Sequence, residues 1–155
     1  MILLVCGDFM KIRYFALVLL CLMLVGSVSA AESSISGHSF TVPDDYNVIF
    51  EDDSQLIMQM DLDHIIFLAY PQVNKSLDEY LKNFDKMGNK LLDENNYTHG
   101  QFDVNEYTFN DGEYNVMFYH LDDGDDTFII NFAYPKDESR SESFNPVITI
   151  LDSLS

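Results

Sequence analysis

The chain has few basic residues, no cysteine beyond position 21 and no long apolar run, and each shortage excludes something. Eight Lys+Arg stand against 26 Asp+Glu in 155 residues, a formal charge of −18. Phosphate backbones need a basic surface, so nucleic acid is excluded as a partner. Cys6 and Cys21 are the only cysteines. Both precede the processing site read below, so the mature chain has no disulfide, thiolate nucleophile or Cys-metal site. The apolar run from Tyr14 to Val25 is shorter than the ~20 residues a spanning helix needs. No G-x-S-x-G, H-E-x-x-H or phosphate-cradling glycine loop occurs. His38, His64, His99 and His120 show no ligand spacing, whereas zinc wants convergent ligands. The chain therefore reads as a non-enzyme, with no catalytic residue and no resident cofactor.

The first thirty residues read as an export signal. Lys11 and Arg13 precede the apolar run, and Gly26-Ser27-Val28-Ser29-Ala30 follows it. Val28 and Ala30 fit the −3 and −1 positions of a cleavage site before Ala31. Residues 1–9 place Asp8 ahead of the basic pair, so Met10 is the more natural start and 1–9 read as a gene-model extension. Val5 and Leu20 precede the cysteines, which disfavours lipoprotein processing. The expected location is secreted or cell-surface. An uncleaved N-terminal anchor facing outward is the alternative, and the one expected route to a membrane.

What remains is one domain over 38–155, with 31–37 expected as a linker. Removing Asp8, Lys11 and Arg13 leaves 25 acids against 6 bases, a charge of −19. Much of the acid sits in pairs at expected turns, where a short Asp side chain bonds nearby backbone donors. Strands are read at Ser39–Val42, Tyr46–Glu51, Gln55–Leu62 and His64–Tyr70. Leu56, Met58, Met60 and Leu62 alternate onto one face, while His64–Tyr70 is apolar on both and should be central. A helix opens at Ser76 with Glu79 completing a capping box. Its stripe runs through Leu77, Tyr80, Leu81, Phe84, Met87, Leu91 and Leu92, ending near Asn95-Asn96. Further strands follow at Gln101–Phe109, Glu113–Leu121 and Thr127–Tyr134, with a hairpin turn at Asn110-Asp111-Gly112. The apolar parity of Gln101–Phe109 changes midway, which predicts either a bulge near Asn105 or burial on both faces. Asn145 and Pro146 then start a C-terminal helix that buries Val147, Ile148, Leu151 and Leu154. The fold class is α+β, an antiparallel sheet of about six to seven strands with a central and a C-terminal helix.

Phe40-Thr41-Val42-Pro43-Asp44-Asp45-Tyr46 resembles the "F-x-x-P-x-x-aromatic" opening of PsbP-like and DcrB-like domains. Ile148-Thr149-Ile150-Leu151-Asp152-Ser153-Leu154 resembles their closing helix. The resemblance spans about residues 38–154. It implies a small exported α/β/α sandwich that binds or helps assemble other components and has no shared catalytic site. It carries no functional residue onto this chain.

Two kinds of candidate site remain. Asp122, Asp123, Asp125 and Asp126 surround Gly124 and form the densest acidic turn, chemically suited to calcium, although EF-hand spacing is absent. Asn74 and Asn96 head N-x-S/T sequons at the two expected ends of the central helix, where loops would expose them for glycosylation. The first functional expectation is an exported, acidic binding or assembly module whose partner is a protein or other envelope component, using an apolar or aromatic groove. The alternative is a calcium-binding surface protein using the 122–126 turn.

Overall fold

The computed structural model describes residues 31–71, 75–138 and 145–155. The export signal expected over 1–30 and the sequon residue Asn74 lie outside them. The strands are β1 (Glu32–Ile35), β2 (His38–Thr41), β3 (Asn47–Glu51), β4 (Gln55–Gln59) and β5 (Ile65–Ala69), followed by helix α1 (Leu77–Lys86). Then come β6 (Lys90–His99), β7 (Phe102–Asn110), β8 (Tyr114–Asp122), β9 (Thr127–Pro135) and helix α2 (Pro146–Ser153). β1 and β2 form a two-stranded sheet, and the other seven form one antiparallel sheet in the order β3-β4-β5-β9-β8-β7-β6. The class is α+β, as the alternating pattern predicts.

The sheet buries residues on both faces. On one face Leu56, Met58, Ile66, Leu68, Tyr119 and Phe132 meet the β1–β2 hairpin and α2, which contribute Ile35, Phe40, Val147, Ile150 and Leu151 among others. On the other face Tyr107, Phe109, Phe118 and Ile129 meet Leu77, Tyr80, Leu81 and Phe84 of α1. β7 serves both cores. Phe102 and Val104 belong to the first, Tyr107 and Phe109 to the second. Its register with β8 runs without a break, so burial on both faces, and not a bulge at Asn105, explains the change of parity.

Several sequence expectations are corrected. Residues 31–37 are not a linker: β1 pairs with β2, and Ile35 is fully buried. The central helix ends at Lys86, not near Asn95-Asn96, and β6 follows it. Gly88 takes φ +81, and the amides of Met87, Gly88 and Asn89 bond back to the carbonyls of Asn83, Asp85 and Phe84. A left-handed residue just past the last turn is the standard helix stop, and glycine adopts it without a Cβ penalty. Leu91 and Leu92 therefore lie on edge strand β6, half exposed, and Met87 is more exposed still. Asn96 also falls within β6, paired across from Asn105, so it does not flank the helix, although it is exposed. β4 stops at Gln59, which leaves Leu62 in the turn and 86% exposed. In α2 the buried stripe takes Ile150 in place of Ile148, which is partly exposed.

The helix starts stand as read. Asn145 accepts from the Val147 amide at 3.1 Å, with Pro146 at the first helical position. At α1 the Glu79 carboxylate accepts from the Ser76 amide at 3.0 Å, while the Ser76 hydroxyl leans on the same carboxylate at 3.4 Å. The reciprocal arm, Ser76 Oγ toward the Glu79 amide, is the looser half of the box. Ser76→Ala should accordingly cost about 0.5–1 kcal/mol, the lower part of the N-cap range, and Glu79→Ala a similar amount. Urea midpoints of unglycosylated protein check this, because Ser76→Ala also removes the Asn74 sequon. Two unchanged midpoints would place the helix start elsewhere.

Candidate functional site

α1 is short, and it sits to one side of the face it covers. Phe84 stacks on Phe109 at 4.3 Å between ring centroids, and Tyr80 and Phe84 lie 5.6 and 5.3 Å from Phe118. These contacts seat the helix over β7 and β8. The neighbouring strip of β5 and β9 is left open as a groove of about 570 Å³, within the usual range for ligand sites. Phe67, Ala69, Ile129, Asn131 and Phe118 form its floor. Tyr80, Phe84 and Met87 form the helix wall, and Tyr70 and Lys75 line it from the segment between β5 and α1.

Asn131 stands out on that floor. Cross-strand register sets it in a transverse row, Phe50–Ile57–Phe67–Asn131–Phe118–Tyr107–Glu94, in which it is the one polar residue short of Glu94 on the edge strand β6. Its Oδ1 is buried and has no hydrogen-bond partner among the described residues. Leaving a buried polar atom unpaired costs about 1–3 kcal/mol, so an apolar residue here would make a more stable sheet. Such exceptions are rare in native folds and point to a reason other than stability. Sequence reasoning passed over Asn131. The available signal was one amide on the second face of Thr127–Tyr134, between Ile129 and Ala133.

Charge also singles out this region. Four of the six Lys and Arg beyond residue 30 fall within 75–90, and residues 31–71 contain none. Lys75 Nζ lies 5.9 Å from the centroid of the Tyr80 ring. Among the described residues every ion pair uses a histidine, so Lys75 has no carboxylate partner there. A second depression of about 700 Å³ is bounded by Asp93, Glu94 and Glu106 together with Tyr97. Its rim is acidic, while Met117, Tyr134 and Ile148 give it an apolar part.

The acidic turn has a clear local role. Asp123 Oδ1 accepts from the amides of Asp125 and Asp126 at 3.0 and 2.8 Å, and Asp122 Oδ1 from Gly124 at 2.8 Å. Asp126 takes the Tyr70 hydroxyl at 2.5 Å and faces His38 Nε2 at 3.5 Å. Asp52, Asp61 and Asp111 do the same at their own turns, each accepting two amides two and three residues on. Those backbone bonds hold the Asp123 carboxyl below its usual range, with burial and then His38 as lesser influences. Asp122, Asp123, Asp125 and Asp126 are adjacent in sequence, but no group of three His, Cys, Asp or Glu suited to a metal occurs among the described residues. Asp122 and Asp123 each commit one oxygen to turn amides and Asp126 one to Tyr70, so millimolar calcium should raise the melting temperature no more than magnesium at equal ionic strength. A calcium-specific rise that follows mass action and disappears in Asp123→Asn/Asp125→Asn would show a site.

The histidines act mainly as clips. His99 Nε2 meets Asp152 at 2.8 Å, joining β6 to α2. His64 lies between Asp61 at 2.8 Å and Glu138 at 2.6 Å. Burial lowers the His64 pKa, but the hydrogen bonds and charges of the two carboxylates outweigh it and raise the value above 6.5. His120 is the opposite case: it is 8% exposed, its Nδ1 has no hydrogen-bond partner among the described residues, and burial lowers its pKa despite the Asp122 charge. The two therefore pull stability in opposite directions. A raised folded pKa gives stability that is full below about 6.5 and lost as pH climbs through the folded value. A lowered one gives stability lost as pH falls through 6.5. The wild type should lose more stability than His64→Gln between pH 6 and pH 8, which denaturant midpoints at each pH will show. Parallel losses would mean the clip is not charged.

No family model matches the chain, and neither does any curated protein. Among solved structures, one from Bacteroides thetaiotaomicron VPI-5482 is similar, with a TM-score of 0.53 and 16% identity over 79% of this chain and 46% of that one. The chain thus spans less than half the length of that protein. At this identity the likeness is one of fold.

Proposed function

We propose that the chain is an exported, non-catalytic binding or assembly module that works through the groove between α1 and strands β5 and β9. The carrying observation is that groove: an apolar floor, open to solvent, with one amide oxygen in it and one lysine at its edge that have, among the described residues, no hydrogen-bond and no carboxylate partner respectively. A few convergent polar groups in an apolar concavity are the usual form of a binding site. The basic pair, apolar run and small-residue exit of residues 11–30 support export. The finer architecture we propose is the α/β/α sandwich of PsbP-like and DcrB-like domains, supported by the opening and closing motifs. A domain of that kind binds and does not catalyse.

A groove-filling variant, Ala69→Trp, tests this reading. Immobilised wild-type domain should retain a defined set of envelope components from the source, and the folded variant should lose them. Identical capture by both proteins, or none by the wild type, would remove the groove from the account.

A further inference from the structure

Building on that reading, we propose that the groove takes the apolar carboxy-terminal end of a peptide, with Lys75 meeting the terminal carboxylate and Asn131 a peptide group. Three features of the site select this occupant. The floor is aromatic and aliphatic, through Phe67, Ile129 and Phe118, so the bound segment is apolar. The buried Oδ1 of Asn131 is unpaired in the middle of that floor. An alkyl chain offers it nothing, whereas a peptide offers a donor and an acceptor at every residue. Oδ1 is buried as it stands, so it meets a ligand when the Asn131 amide turns about its terminal torsion, which can present either edge. Finally, the lysine that lines the groove carries its charge without a carboxylate partner among the described residues, on a chain of charge −18. Glu79, the near acid on α1, is committed to the Ser76 amide. A single negative charge at the end of an apolar segment fits Lys75, while further acids along the ligand would be repelled by the surrounding surface. The groove's volume suits a few residues, not a folded partner.

The test uses residues 31–155 and displacement of an anilinonaphthalene sulfonate dye. The competitors are a pool of acetylated tripeptides of Phe, Leu, Ile, Val and Ala with free carboxyl ends, the same pool as carboxamides, and dodecanoate below its micelle concentration. The free-acid pool should displace the dye at about tenfold lower concentration than the amide pool in low salt, as a partly screened charge-assisted contact allows. Lys75→Met should erase that difference. Asn131→Leu should weaken displacement by both pools while raising the melting temperature of the free protein, an outcome that mere loss of fold cannot produce. Equal displacement by acid and amide overturns the proposal. So does displacement by dodecanoate at lower concentration than either pool, which would make the groove a lipid site and leave the binding-module reading in place. Dye binding that is absent, or unchanged in Ala69→Trp, defeats both the proposal and the reading beneath it.

Discussion

Phe118→Ala should destabilise the domain by about 3–5 kcal/mol, the usual range for removing a buried aromatic ring, and should detach α1 from the sheet. Phe118 is 1% exposed. Tyr80 and Phe84 reach it from α1, and Tyr107 from β7. The second core is small, with four buried residues under a helix that has none of its own. Losing one of the four removes the helix's main seat, and a ten-residue helix is marginal without tertiary packing. The denaturant midpoint reads the stability, and amide hydrogen exchange over Leu77–Lys86 reads the helix. A loss below about 1 kcal/mol, far under the buried-aromatic range, with α1 still protected, would mean that the helix is held by something other than this cluster. Phe118 also forms part of the groove floor, so the same change should abolish binding there.

Ile35→Ala should cost roughly 2–5 kcal/mol, although Ile35 lies in a stretch that reads as a linker. Its side chain is 1% exposed and belongs to the main core with Phe40 and Val42. β1 is held by its ladder to β2 and by Ser36 N–H to Asp53 C=O at 3.1 Å. A shortened chain that begins at residue 38 should therefore be less stable than one that begins at 31, by at least the Ile35→Ala loss. Melting curves of the three proteins decide it. Equal melting temperatures would return residues 31–37 to the status of a tether.

The legible and illegible parts of this fold differ for physical reasons. Strands β4, β5, β8 and β9 could be read because they bury residues in regular alternation or on both faces. β6 could not, because it is an edge strand with almost every residue exposed; its polar sequence carries no period. Leu91 and Leu92 happen to continue the spacing of Phe84 and Met87, which extended the expected helix past the Gly88 stop. β1 offers one buried residue in four, too little for a pattern. The groove is invisible from sequence because its floor comes from β5, β8 and β9 and its wall from α1. Asn131 reads as an ordinary strand amide until the cross-strand register sets it between Phe67 and Phe118, in a row that is otherwise apolar from Phe50 to Tyr107. The acidic turns, by contrast, could be read directly, because an Asp that caps its own turn acts within three residues.

The most direct test of the central claim is an amide chemical-shift map of the isotope-labelled domain, titrated with the free-acid tripeptide pool. The groove account predicts the largest shifts at Phe67, Ala69, Ile129, Asn131 and Met87, saturating together. Shifts centred on Asp122–Asp126 or on the β3 edge, or none anywhere at millimolar peptide, would contradict it.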